Sequence, residues 1–193
     1  LPPMVKRQQY YEALQTVANP IIRNTATIGG NICEKNHKLS LYAPLLALDA
    51  KLEFKNQNET ITEPLSTFKD IPEGFILTSV RVPIVDEDIS VFRRIGPENK
   101  ITQRSASFAF IAATEKDTIS SLRLAFAGPF AFRSKTLEND IIGKRLPLSQ
   151  KDISEILEMV KQEFYKTATD QMISDVLTQQ FFNLTKYSFE QLS

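Results

Sequence analysis

The sequence predicts an α+β fold, an antiparallel sheet followed by a helical tail, on three observations. Between Lys51 and Ala127 apolar and polar residues alternate in short runs, the period of strands. From Ser134 onward apolar residues recur every three or four positions, the period of helices. The two patterns follow one another instead of interleaving as βαβ units, which is the α+β order.

In chain order, Tyr10, Ala13, Leu14 and Val17 give a short amphipathic helix over Val5–Ala18, stopped by Asn19-Pro20. Arg23 to Asn31 follows as a loop of small and polar residues. Ser40 to Leu48 is apolar and unbranched and reads as a helix, with Ser40 as a candidate N-cap. Lys51–Lys55 alternates as a strand and pairs with Glu59–Thr62 across the turn-prone Asn56-Gln57-Asn58. After a loop from Lys69 to Gly74, Phe75–Val82 forms a strand closed by Pro83. The acidic Asp86-Glu87-Asp88 marks the boundary between a first domain, 1–86, and a second, 87–193.

Three further strands are expected at Ile89–Ile95, Ser105–Ala113 and Ile119–Ala127. Phe108 and Phe110 share one face, as do Leu122, Leu124 and Phe126, so a meander with one wet face is expected. Gly128-Pro129 ends it. Helices are expected over Ser134–Ile142, Ser149–Tyr165 and Asp170 to about Tyr187, punctuated by Gly143 and Pro147.

Composition narrows the function classes. The 193 residues are 42% apolar, enough for a packed core. Charges balance at 23 basic and 23 acidic, which argues against a nucleic-acid binder. The single cysteine, Cys33, can form no internal disulfide, and a cytoplasmic location is expected. No apolar run reaches the roughly 20 residues that span a bilayer. The opening Leu1-Pro2-Pro3-Met4 reads as a chain entered mid-sequence. One histidine, His37, and one cysteine make no metal-ligand set, and no nucleophile elbow is present. Cys33 reads as small buried filler, His37 as a surface-loop residue, and Phe181-Phe182 with Tyr187 as core or a subunit contact.

Thr27-Ile28-Gly29-Gly30-Asn31 carries the chemistry. Adjacent glycines permit positive φ and close approach of backbone to a ligand, and consecutive N–H groups can converge on a phosphate. The same pair also makes an ordinary tight turn, so physics alone leaves both open.

The wider pattern is specific. Arg23-Asn24-Thr25-Ala26-Thr27-Ile28-Gly29-Gly30-Asn31, then Leu45-Leu46-Ala47-Leu48-Asp49-Ala50 and Lys51-Leu52-Glu53-Phe54, resembles the second flavin motif of the xanthine dehydrogenase and carbon monoxide dehydrogenase flavoproteins. Ser90-Val91-Phe92-Arg93, Leu122 to Gly128 and Leu137 to Lys144 resemble that family's C-terminal signatures in the correct order. The resemblance implies the second lobe of a two-lobed FAD-binding domain, then an antiparallel sheet with C-terminal helices. It implies an oxidoreductase subunit that takes electrons from iron–sulfur clusters and passes them through FAD to an acceptor such as NAD. The implied partners are an iron–sulfur subunit and a molybdenum-cofactor subunit.

Carried over residue by residue, the resemblance assigns Thr27, Ile28, Gly29, Gly30 and Asn31 to the FAD pyrophosphate. Val17 and Leu77 become apolar contacts, and Arg93 stands where the family has a Lys. No catalytic residue and no metal ligand is assigned. The family's Ser-Pro and Asp are replaced by Asn36, His37 and Ser40. The acidic contact is lost, while Ser40 either hydrogen-bonds the cofactor or caps its helix. None of the six glycines forms a second glycine-rich loop. The chain alone is therefore expected to bind FAD weakly and to self-associate through an exposed apolar face. The alternative is an assembly or scaffold module that keeps the fold and has lost FAD.

Overall fold

The structure is a computed structural model that describes residues 24–35, 38, 40–84, 87–97, 101–168 and 173–193. The predicted helix Val5–Ala18, including Val17, lies outside the described residues, as do Asn36, His37, Asp86 and the predicted helix start at Asp170.

Ile28–Asn31 is helical, not the expected loop. Helix α1, Ile28–Ile32, begins at Thr27, whose Oγ1 accepts from Gly30 N at 2.9 Å. Serine, threonine, aspartate and asparagine suit this position because their side-chain oxygens satisfy a first-turn N–H. The helix expected from Ser40 is α2, Tyr42–Ala47, and all six of its residues are buried. Ser40 does not cap it: the N-cap is Leu41, which makes no side-chain cap bond. The Asn31 side chain does that work from ten residues upstream, its Oδ1 accepting from Leu41 N at 3.2 Å.

Strands β1 (Lys51–Lys55), β2 (Thr60–Pro64) and β3 (Ile76–Arg81) form an antiparallel sheet in the order β2-β1-β3. The turn after β1 is built on Asn56, whose Oδ1 accepts from Asn58 N and Glu59 N at 2.8 Å each. This turn delays β2 by one residue relative to the alternation. Leu52 and Phe54 face the core, while Glu53 is held on the other face by Lys55 and Arg81.

Strands β4 (Ile89–Ile95), β5 (Ala106–Glu115), β6 (Thr118–Ala127) and the two-residue β7 (Ala131–Phe132) form a second antiparallel sheet in that order. Lys116 and Asp117, at φ 49° and 58°, make the tight turn from β5 to β6. Gly128 follows β6 because a Cβ there would lie 2.9 Å from Ala106 Cβ and 3.0 Å from Ser105 O.

The expected wet face does not exist in the middle of this sheet. Phe108, Phe110, Leu122, Leu124 and Phe126 pack on the C-terminal helices, as the alternation requires. Phe92, Ala109, Ile111, Ala125 and Ala127, on the opposite face, pack in a second cluster with α2, Ile32, Leu52 and Phe54. The small residues of this second face leave room for a helix backbone. A buried apolar face is what a strand with no polar alternation should show.

The tail consists of α3 (Lys135–Ile141), α4 (Gln150–Thr167) and α5 (Asp175–Glu190). Ser134, Ser149 and Ser174 are their N-caps, and Ser149 with Asp152 forms a capping box. Phe181 and Phe182 are core, as expected, and Tyr187 is exposed.

Candidate functional site

The site is built on the first turn of α1. Thr27, Ile28 and Gly30 are exposed and Gly29 is half-buried. The first N–H groups of a helix have no acceptor within it. Here Thr27 takes Gly30 N, and the turn closes through Asn31 N to Thr27 O at 3.0 Å and Cys33 N to Gly29 O at 2.9 Å. Neither glycine has the positive φ expected of it; among the described glycines only Gly74, Gly96 and Gly143 do.

The reason for glycine therefore lies elsewhere. A Cβ on Gly29 would meet only Leu77 Cδ2 among the described residues, at 3.6 Å, an ordinary contact. A Cβ on Gly30 would sit 3.1 Å from Thr27 Oγ1 and press on the cap. Gly29 is thus a bare, partly exposed stretch of backbone that the described fold does not require to be glycine. These residues fit a phosphate group: N–H donors, a helix N-terminus and no side chain in the way.

The structure brings Leu77 to this turn, where it also packs on the second cluster. Ser40 is half-buried, one residue before the Leu41 N–H that Asn31 holds. Arg93 is not brought there by its strand. It pairs in register with Phe108, on the face of β4 that also carries Val91 and Ile95, and its Nη1 donates to Phe92 O at 2.7 Å. Val17 lies outside the described residues. Burial, and then the Asp70 charge, push the Cys33 thiol up, which fits packing and not thiolate chemistry. Among the described residues no group of three His, Cys, Asp or Glu could hold a metal ion, and no helix is long and apolar enough to cross a membrane.

A second cluster of polar residues was not singled out in the sequence. Arg133, its side chain 5% exposed, donates to Asp49 Oδ1 at 2.9 Å, to Glu138 Oε1 at 2.9 Å and to Leu46 O at 2.5 Å. Arg123 and Lys135 reach Asp49 at 3.3 and 2.9 Å, and Arg123 donates to Ala47 O at 3.2 Å. Glu138 Oε1 also accepts from Leu124 N at 2.9 Å. The network ties the C-terminal end of α2 to β6 and α3. Asp49 and Glu138 both lie in stretches that carry the family resemblance, so the signal was present without its meaning.

Burial works against ionisation of Asp49, but hydrogen bonds from Lys135 and Arg133, with the Arg133 charge, outweigh it and hold the carboxyl below its usual range. A carboxyl depressed in the folded state contributes stability above its unfolded pKa, about 4, and that contribution is lost as pH falls through the folded value. Urea midpoints should therefore hold steady from pH 7 to about pH 5 and drop below about pH 4. The Asp49→Asn variant should show a shallower acid slope, and an identical slope would remove Asp49 from the account.

Residues 3–85 match the family described as the FAD binding domain in molybdopterin dehydrogenase. The glyceraldehyde dehydrogenase medium chain of Sulfolobus acidocaldarius is 25% identical over 149 residues, 70% of this chain and 51% of that protein. The xanthine dehydrogenase FAD-binding subunit of Escherichia coli O157:H7 is 29% identical over 168 residues, 78% of this chain and 54% of that protein. The chain thus spans about half the length of these curated relatives. Quinoline 2-oxidoreductase from Pseudomonas putida 86 superposes with a TM-score of 0.76 at 14% identity, covering 100% of this chain and 70% of that one. Carbon monoxide dehydrogenase from Hydrogenophaga pseudoflava gives 0.78 at 20% identity, covering 99% and 69%. At such identities the likeness defines the fold, a mixed helix-and-sheet architecture shared with these oxidoreductases. Residues 3–85 are thus similar to the FAD-binding domains of molybdopterin dehydrogenases, and the longer likeness to the curated FAD-binding subunit stays at 29% identity.

Proposed function

We propose that this chain works as the FAD-carrying electron-transfer subunit of a xanthine dehydrogenase-like molybdenum hydroxylase. It would operate in the cytoplasm beside an iron–sulfur subunit and a molybdenum-cofactor subunit, with NAD as a candidate electron acceptor. The observation that carries this reading is Gly29: half-buried first-turn backbone, free of side chain, inside the segment that matches the family. Bound flavin supplies the redox chemistry, accepting and releasing electrons. The chain's residues bind and orient. Thr27 fixes the turn, the N–H groups of Ile28 and Gly29 would hold the phosphates, and Leu77 would offer an apolar wall. Ser40, which does not cap its helix, remains a hydrogen-bonding candidate. Exposed Ile28, Ile76 and Ile84 are apolar side chains that support contact with further protein, including a second copy. The alternative, a scaffold without FAD, rests on the replacements at Asn36, His37 and Ser40.

Gly29→Ala separates the two. Alanine suits a helix better than glycine by up to about 1 kcal/mol, and its Cβ meets nothing tighter than Leu77. The variant should be as stable as the parent while its FAD affinity in the assembled complex falls about tenfold, near 1.4 kcal/mol. Gly30→Val, whose branched side chain also presses on Thr27, should lose more. The chain titrated alone should bind more weakly than the assembly. Flavin fluorescence during titration reads all of these, and unchanged affinity in both soluble variants would overturn the assignment.

A further inference from the structure

We infer that Asn31 acts on the flavin site as a positioning residue, through a joint between the glycine turn and helix α2. The inference rests on the FAD reading above. Asn31 is only 8% exposed, and its side-chain oxygen is committed to Leu41 N. Leu41 is itself 3% exposed and opens α2, a helix buried along its whole length. That helix is fixed at its far end, where Arg133 and Arg123 donate to Leu46 O and Ala47 O. Between turn and helix, Lys38 N donates to Gly128 O at 2.8 Å, so Lys38 is tied to the residue that follows β6. The glycine turn has five helical residues and cannot hold its own orientation by helix propensity. Asn31 attaches it to a helix anchored in the core, which fixes the direction of the Gly29 backbone.

The bond has two removable halves. Asn31→Ala deletes the acceptor. Leu41→Pro deletes the donor, at an N-cap whose φ of −81° is close to the proline range. The test measures FAD affinity in the assembled complex for both single variants and the double variant. Hydrogen exchange at the Leu41 amide is measured alongside, without flavin.

Each single variant should weaken FAD binding about tenfold. The double variant should bind no worse than the weaker single, because both remove one joint. Exchange at Leu41 should speed up in Asn31→Ala. Multiplying losses would make Asn31 a direct phosphate contact and overturn the inference. Faster exchange with unchanged FAD affinity would make the bond purely structural and overturn it equally. If Leu41→Pro fails to fold, Asn31→Asp serves, since its carboxylate keeps the acceptor. Measured in about 1 M salt, where charges are screened beyond about 3 Å, it should recover affinity and slow exchange relative to Asn31→Ala. Equal loss in the two sinks the proposal. A parent complex that binds no FAD refutes the functional reading and this inference with it, whereas a parent that binds while the variants behave otherwise refutes the inference alone.

Discussion

Replacing Arg133 with methionine is expected to destabilise the protein by about 3–5 kcal/mol, the usual cost of removing one partner from a buried ionic group. Arg133 and Glu138 side chains are each 5% exposed. Without the guanidinium, Glu138 keeps the Leu124 N–H but loses its counter-charge in a place water scarcely reaches. Leu46 O at the end of α2 loses a donor as well. Asp49, a third exposed and still paired with Arg123 and Lys135, suffers less. The companion variant Arg133→Met/Glu138→Gln removes the stranded charge and keeps an acceptor for Leu124 N. It should recover a good part of the loss, since an intact buried pair is often worth little against neutral replacements. Urea unfolding of the three proteins checks this. A single-variant loss below about 1 kcal/mol, or a double variant no better than the single, would show the network to be ornamental.

The second large effect is expected at Phe181, where alanine should cost about 3–5 kcal/mol. Phe181 is fully buried, with ring centroids 4.5 Å from Phe164, 5.4 Å from Phe126 and Phe182, 5.7 Å from Phe132 and 6.0 Å from Phe108. Five rings lose a neighbour at once, and close packing leaves little freedom to collapse into the gap. Tyr187, on the same helix but 45% exposed, should tolerate alanine within about 0.5 kcal/mol. Phe181 lies on the helix side of the second sheet and the glycine turn on the other. The folded Phe181→Ala variant should therefore keep its FAD affinity. Calorimetry and flavin titration together test both halves, and matching losses at Phe181 and Tyr187 would contradict the packing account.

The sequence made the long elements legible because their periods are unambiguous. Lys51–Lys55 and Ile89–Ile95 fall where the alternation puts them, and serines marked the helix starts at 134 and 149 because an N-cap is a local device. What escaped was set by distant residues. Ser40 looked like a cap because its neighbours are helical, yet the bond that opens α2 comes from Asn31. The second sheet looked half-wet because Phe108 and Phe110 alternate with Ala109 and Ile111, and small apolar residues do not announce that a helix will cover them. At the site, the motif located the glycine turn, and Leu77 came to lie beside it. Arg93 did not, because strand register, invisible in a motif, turned it toward the other face. The Asp49–Arg133 bond joins residues 84 apart, and no local pattern encodes such a pairing.

Helix α2, packed on β5 and β6 and sharing a buried cluster with Leu52 and Phe54 of β1, limits how this protein can be recombined. A crossover between two relatives at 86–88 would take α2 and Asp49 from one parent. It would take Phe92, Ala109, Ile111, Ala125, Ala127 and Arg133 from the other. The chimera would have to match two independently drifted halves of one interior, side chain against side chain. Sequence drift on the back of β5 and β6 is likewise constrained by α2, and drift in α2 by those strands. Among related chains, substitutions at these positions should travel together, and the glycine turn should be inherited with the strands behind it as a single block.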